Sequence, residues 1–260
     1  AIRDFNQASA NWVMNPFFND HTSYGACLAM VLPFLLWQSF SPRILGVKRL
    51  MVWFVLLIFL TALILSYTRA AWVSLVGALG VFIVLRFKIK TWVVLSLIFV
   101  AGIFIFTAMD SILMDLESNK QDSSSNLTEH VESISNVSSD ASNLERINRW
   151  KSAWEMFQDR PIFGFGPGTY AFEYAPYQQS KDKTIISTNS GDGGNAHSEY
   201  LGPLSEQGIL GSFLMISIII SVIVAGVRVY KSGLSKESRM IGLSVFLGLI
   251  TYYLHGILNN

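Results

Sequence analysis

Long runs without a single charge constrain this chain more than any motif does. The windows Thr22–Phe40, Leu50–Thr68, Ala70–Leu85, Thr91–Met109, Gln207–Val227 and Met240–Leu258 contain no Asp, Glu, Lys or Arg. Crossing about 30 Å of hydrocarbon takes roughly 20 residues at the helical rise. The sequence therefore predicts an all-α integral membrane protein, a polytopic helix bundle of about six spans. The third window is short and follows Arg69, and the sixth carries His255, so these two are expected to tilt or lie partly in the interface. The runs lack the alternation of barrel strands, which leaves helices as the spanning element. Composition agrees, since 51% of residues are apolar and 14% charged, richer in hydrocarbon than a soluble domain.

Lys and Arg orient the bundle. Arg43, Lys48 and Arg49 lie between the first two windows, Arg86, Lys88 and Lys90 between the third and fourth, and Arg228, Lys231, Lys236 and Arg239 between the last two. Alternate short loops are thus basic and are expected on the cytoplasmic side. The Arg69 hairpin, the segment 110–196 and both termini then fall outside. That segment holds 13 of the 18 acidic residues and seven basic ones. Its negative balance argues against nucleic acid as a partner.

Three parts follow: residues 1–109 with four spans, an outer loop over 110–196, and residues 197–260 with two spans. The opening AIRDFNQASANW has no initiator Met or signal peptide, and the end LHGILNN stops as a helix reaches the outer side, so the chain reads as a fragment of a longer protein. Cys27 is the single cysteine and allows no intrachain disulfide. Residues 116–143, rich in Ser and Asn, cannot bury enough surface to fold alone and read as a mobile loop. Two Asn-x-Ser/Thr sequons there, at Asn126 and Asn136, read as incidental. From Leu144, the spacing of Leu144, Ile147, Trp150, Lys151, Trp154 and Phe157 predicts an amphipathic helix over 144–160, ended by Pro161. Trp150 and Trp154 suit headgroup depth. The glycines of IFGFGPGTY permit tight turns before the aromatic stretch YAFEYAPY.

Several polar residues stand where a membrane must tolerate them. Arg69 either snorkels to headgroups or faces a wet bundle interior, and both readings are open. Arg146 and Arg149 begin the outer helix, either on a solvated face or as anion ligands. His197, in NAHSEYLGPL, is either an interfacial residue or a proton acceptor. Topology brings these four to one side of the membrane, with His255 and Asn259 near the end of the last span. Guanidinium groups match phosphate oxygens with paired hydrogen bonds. A lipid phosphate and an attacking alcohol would suit such a set. No metal-ligand spacing, phosphate-binding glycine loop or nucleophile elbow is present.

The succession SYTRAAW, ERINRWKSAWEMFQDRPIFGFGPGTY, NAHSEYLGPLSEQGILG and YYLHGILNN resembles the O-antigen ligase and polymerase superfamily of bacterial inner-membrane proteins. FNDHTSYGACLAMVLPFLL is similar to the segment that precedes its core. The likeness covers most of the chain and excludes 116–143.

This resemblance implies a multi-pass inner-membrane glycosyltransferase with its active site facing the periplasm. It moves a glycan from undecaprenyl diphosphate to an acceptor hydroxyl, on lipid A-core or elsewhere, with no cofactor and no required metal, inverting the anomeric carbon. By motif, Arg69 and Arg146 correspond to donor-diphosphate arginines, with Arg149 placed second, and His197 to the general base. Asn195, Glu199, His255 and Asn259 stand as supporting residues. Gly191, Gly193 and Gly194 would let the loop close over the sugar, and the aromatics from Tyr170 to Tyr177 would stack on it. Polymerisation of repeat units and transfer to a protein side chain share this chemistry. A secondary transporter of an anionic solute and a non-catalytic scaffold are rivals of other classes. Against the transporter, no pair of Gly- or Pro-broken helices marks two matching halves.

Overall fold

The computed structural model describes residues 14–18, 20–118, 141–183, 187 and 194–259. The expectations for 119–140 and for Gly191 and Gly193 lie outside the described residues. Eight helices account for most of the rest, and no strand occurs among the described residues. They are α1 His21–Phe40, α2 Gly46–Leu65, α3 Arg69–Arg86, α4 Thr91–Ser118, α5 Ala141–Asp159, α6 Tyr170–Glu173, α7 Leu201–Lys231 and α8 Lys236–Leu258. Five of them, α1, α2, α3, α7 and α8, are long and apolar enough to cross a membrane. The fourth predicted span is helical as part of α4, whose apolar stretch among the described residues is Trp92–Phe104, shorter than a crossing. The chain is an all-α polytopic membrane protein.

Two compact units form, one from the residues up to Phe82 together with Leu214–Asn259, the other from Ile83–Phe213. In the first, α1 packs against α2 and α8. Leu28, Ala29 and Leu32 of α1 meet Leu56 and Leu63 of α2 and Ala71 of α3 in one buried cluster. Small residues set the close approach of α8 to α1: a Cβ on Gly248 would stand 2.4 Å from the Met30 carbonyl oxygen. Such contacts matter in lipid, where packing, not hydrophobic burial, holds helices together. Most large apolar side chains of α2 face outward, as they must against acyl chains.

The N-terminus of α1 is capped by Asp20, whose Oδ1 accepts from the Ser23 amide at 2.7 Å, Thr22 Oγ1 at 2.6 Å and Ser23 Oγ at 3.0 Å. Burial alone would raise this carboxyl, but the donors from Thr22 and Ser23 together hold it below its ordinary value. A depressed carboxyl contributes stability above its unfolded pKa and loses it as pH falls through the folded one.

In the second unit α7 is not one helix. Gly208 takes φ 64° and ψ −160°, a conformation that only glycine adopts without strain. In an unbroken helix the Ile209 amide would donate to the Ser205 carbonyl. Here it donates to the Pro161 carbonyl at 2.9 Å, while Ser205 O accepts from the Phe165 amide at 3.2 Å and Glu206 O from the Gly166 amide at 2.7 Å. The turn after α5 has entered the gap and taken over the helix's exchanged bonds. Gly164 and Gly208 allow the approach, since a Cβ on either would lie 2.3 Å from backbone of the opposite segment. The side chain of Glu206 adds two bonds, accepting from the Gly168 amide at 2.8 Å and the Tyr170 amide at 2.9 Å. The sequence reading began this span at Gln207 and found no matched pair of broken helices; α7 begins at Leu201 and carries one interruption.

Two outcomes follow for unfolding in detergent. Gly208→Ala should cost about 2 kcal/mol or more, from strain and collision with Ile162, against a near-neutral change at open Gly80. Asp20→Ala should cost about 1 kcal/mol at neutral pH, and its difference from wild type should shrink as pH drops below the carboxylate range.

Candidate active site

Helix α5 is amphipathic, but its most buried stripe is polar. Glu145, Asn148, Arg149, Ser152, Ala153 and Met156 recur at helical spacing and are buried. The stripe predicted from Leu144, Ile147, Trp150, Lys151, Trp154 and Phe157 is only half-buried or exposed, with Trp154 at 48%. Trp154 and Phe157 pair their rings at 5.4 Å on that open face. The inward choice follows from satisfied hydrogen bonds: a charge enters a core only with its partners.

Those partners are explicit. Arg149 Nε donates to Glu145 Oε1 at 2.8 Å, one helical turn away. Glu145 Oε2 also accepts from Ser187 Oγ. Arg149 Nη1 donates to the Asn195 carbonyl at 3.0 Å, and the guanidinium lies 5.2 Å over the Tyr174 ring. The Arg149 carbonyl accepts from Tyr170 OH at 2.9 Å, and Tyr170 and Tyr174 stack nearly parallel at 5.0 Å. Burial pushes the Tyr170 phenol up, so it remains a donor at any physiological pH. Tyr170 and Tyr174 are thus packed beneath the helix and closed to a sugar, which corrects the expectation that this aromatic run offers them for stacking; Phe172, fully outward, and half-buried Tyr177 remain accessible.

His197 sits on the strap that this helix holds. Its φ is 49°, left-handed for a side-chain-bearing residue. Its carbonyl accepts from Trp150 Nε1 at 3.3 Å, and its amide donates to Asn195 Oδ1 at 3.3 Å. Neighbours Ala196 and Ser198 are buried while His197 is half-buried and Asn195 exposed. Ser198 Oγ accepts from the amides of Tyr200 and Leu201, at 3.3 and 3.4 Å, and so starts α7. Glu199, half-buried, lies in the intervening turn.

The second unit therefore contains Arg146, Arg149, Asn195, His197 and Glu199, with Arg146 half-buried one residue off the inward stripe. The first unit holds Arg69, His255 and Asn259. Arg69 opens α3 after a pinned hairpin: Ser66 Oγ donates to the Leu63 carbonyl at 2.7 Å, Thr68 Oγ1 to the His21 carbonyl at 2.9 Å, and Trp72 Nε1 to the Leu63 carbonyl at 3.1 Å. His255 is buried in the last turn of α8, and its carbonyl accepts from the amide of the capping residue Asn259 at 3.1 Å. Among the described residues no three His, Cys, Asp or Glu side chains come together as metal ligands.

Glu145 and Glu206 are not among the candidate residues of the sequence, and Tyr170 stands there only within the aromatic run. The only local signal for the first was its four-residue spacing to Arg149. Glu145→Ala leaves a buried guanidinium unpaired and should lower the unfolding free energy by about 3–5 kcal/mol. A loss of about 1 kcal/mol or less in the same measurement, the size of an exposed pair, contradicts that burial.

A family model described as O-antigen ligase matches residues 53–216. A comparison with curated proteins finds no match.

Proposed function

Because the chain belongs to the O-antigen ligase family, we propose that it moves an undecaprenyl-diphosphate-linked glycan onto an acceptor hydroxyl at the periplasmic face of the bacterial inner membrane. Lipid A-core is the acceptor first favoured. Family membership carries glycosyl transfer of the O-antigen ligase type in general; donor, acceptor and membrane side belong to this proposal.

His197 would take the proton of the acceptor hydroxyl as that oxygen bonds to the anomeric carbon. The bond from that carbon to the lipid diphosphate breaks with inversion, and the electron pair leaves with the diphosphate. Arg146 and Arg69, which match the family's arginine motifs, would bind that group and meet the charge that grows on it. Binding that strengthens as charge develops lowers the barrier, whereas equal binding of ground and transition states does not. Asn195, Glu199, His255 and Asn259 are proposed as supporting residues.

The observation that supports this reading best is the mounting of His197. A strained, left-handed residue is held at the start of an apolar helix by bonds from the helix that bears Arg146. Strain of this kind persists only where the surroundings over-determine it, and it concentrates at functional positions.

The test is glycan attachment in a strain lacking the protein. His197→Ala should reduce transfer by roughly 100- to 10,000-fold and Arg146→Ala by roughly 100-fold or more, with lipid-linked glycan accumulating and the variants present in the membrane. If a single repeat still attaches and only longer chains vanish, polymerisation replaces ligation. Wild-type transfer by all variants would remove the site assignment.

A further inference from the structure

We propose that Arg149 is a positioning residue for His197 and not a ligand of the donor diphosphate. The inference rests on the proposed reading of His197 as the general base. Arg149 is 7% exposed, its charge is met by Glu145 at 2.8 Å, and Nη1 is spent on the Asn195 carbonyl at 3.0 Å. A diphosphate would have to reach a side chain that is almost wholly covered and already paired with a carboxylate. Arg146, three residues earlier on the same helix, is half-buried and lies off that buried stripe.

The bonds from Arg149 and Trp150 pin the stretch that carries the histidine. Consecutive residues of α5 hold the Asn195 and His197 carbonyls, so the strap is fixed on both sides of Ala196, which is itself buried. The planar guanidinium is wedged between the Tyr174 ring and Gly194, where a Cβ would stand 2.0 Å from Nη1. A side chain at Gly194 would collide with the guanidinium, so this position keeps space for the arginine. Loosening this wedge lets the strap relax out of the left-handed turn and misplaces the imidazole by a fraction of an ångström to an ångström, enough to cost turnover without touching donor affinity.

The test uses the full protein in lipid nanodiscs with undecaprenyl-diphosphate-linked glycan and acceptor, comparing wild type, His197→Ala, Arg149→Gln, Arg149→Lys, Gly194→Ala and the double variant Arg149→Gln/Gly194→Ala. Arg149→Gln and Gly194→Ala should each lower kcat roughly 10- to 100-fold, with the donor KM changed by about twofold or less. The double variant should be no worse than Arg149→Gln, because the added methyl no longer meets the guanidinium. Arg149→Lys should recover only part of the loss, since it keeps the charge but not the fork. A rise in donor KM of about tenfold or more with kcat near wild type in Arg149→Gln would make the residue a donor ligand and overturn the proposal, as would fully additive losses in the double variant. Where Arg149→Gln does not accumulate, Gly194→Ala decides alone by the same split between kcat and KM. Wild-type turnover in His197→Ala overturns the base assignment itself, whereas its loss together with a pure KM effect at Arg149 overturns only the positioning role.

Discussion

The interruption of α7 at Gly208 can exist only because another segment supplies the hydrogen bonds that the helix gives up. A buried amide or carbonyl left without a partner costs roughly 1–3 kcal/mol. The turn Pro161–Gly166 meets that demand bond for bond: the Ile209 amide, the Ser205 carbonyl and the Glu206 carbonyl all find partners in it. The exchange joins the end of α5 to the start of α7. His197 lies on the strap that enters α7, so the joint and the bonds from Arg149 and Trp150 fix that strap from two directions.

A second constraint is the buried charge on α5. Glu145 and Arg149 go inward because each satisfies the other and because Ser187 donates to the carboxylate while the Asn195 carbonyl accepts from the guanidinium. A buried pair is weak evidence for stability by itself, but it specifies one arrangement in preference to others. Here the arrangement specified is the height and twist of the loop ahead of α7. Tyr170 extends the same network, tying its hydroxyl to α5 and its amide to Glu206. One connected set of polar groups thus runs from the broken helix to the histidine within the second unit.

The spans were legible because hydrocarbon imposes a length and forbids charge. Thr22–Phe40 was read where α1 is His21–Phe40, and Met240–Leu258 where α8 is Lys236–Leu258. The family was legible from short motifs around Arg69, Arg146 and His197, and the O-antigen ligase match covers the first two of these and His197 as well. What sequence could not show is tertiary. An Arg and a Glu four residues apart on a helix usually sit on a wet face, and it is the Asn195 carbonyl, Ser187 and the Tyr174 ring that turn this pair inward. The exposed face of Trp154 agrees with the reading of an amphipathic helix, whereas the polar character of its buried face was not legible. Gly208 inside a hydrophobic run looks like a tolerated glycine until the bonds from Pro161, Phe165 and Gly166 are seen beside it. The left-handed turn at His197 leaves no compositional trace.

The measurement that bears most directly on the account follows both products of one turnover by purified protein in nanodiscs. Lipid-linked glycan of known anomeric configuration is supplied with lipid A-core, released undecaprenyl diphosphate is quantified, and the new linkage is assigned by NMR. The account predicts one undecaprenyl diphosphate released for each glycan attached, with the configuration at the transferred carbon inverted. Retention of configuration, or diphosphate release without an acceptor bond, would contradict direct displacement by a hydroxyl deprotonated at His197.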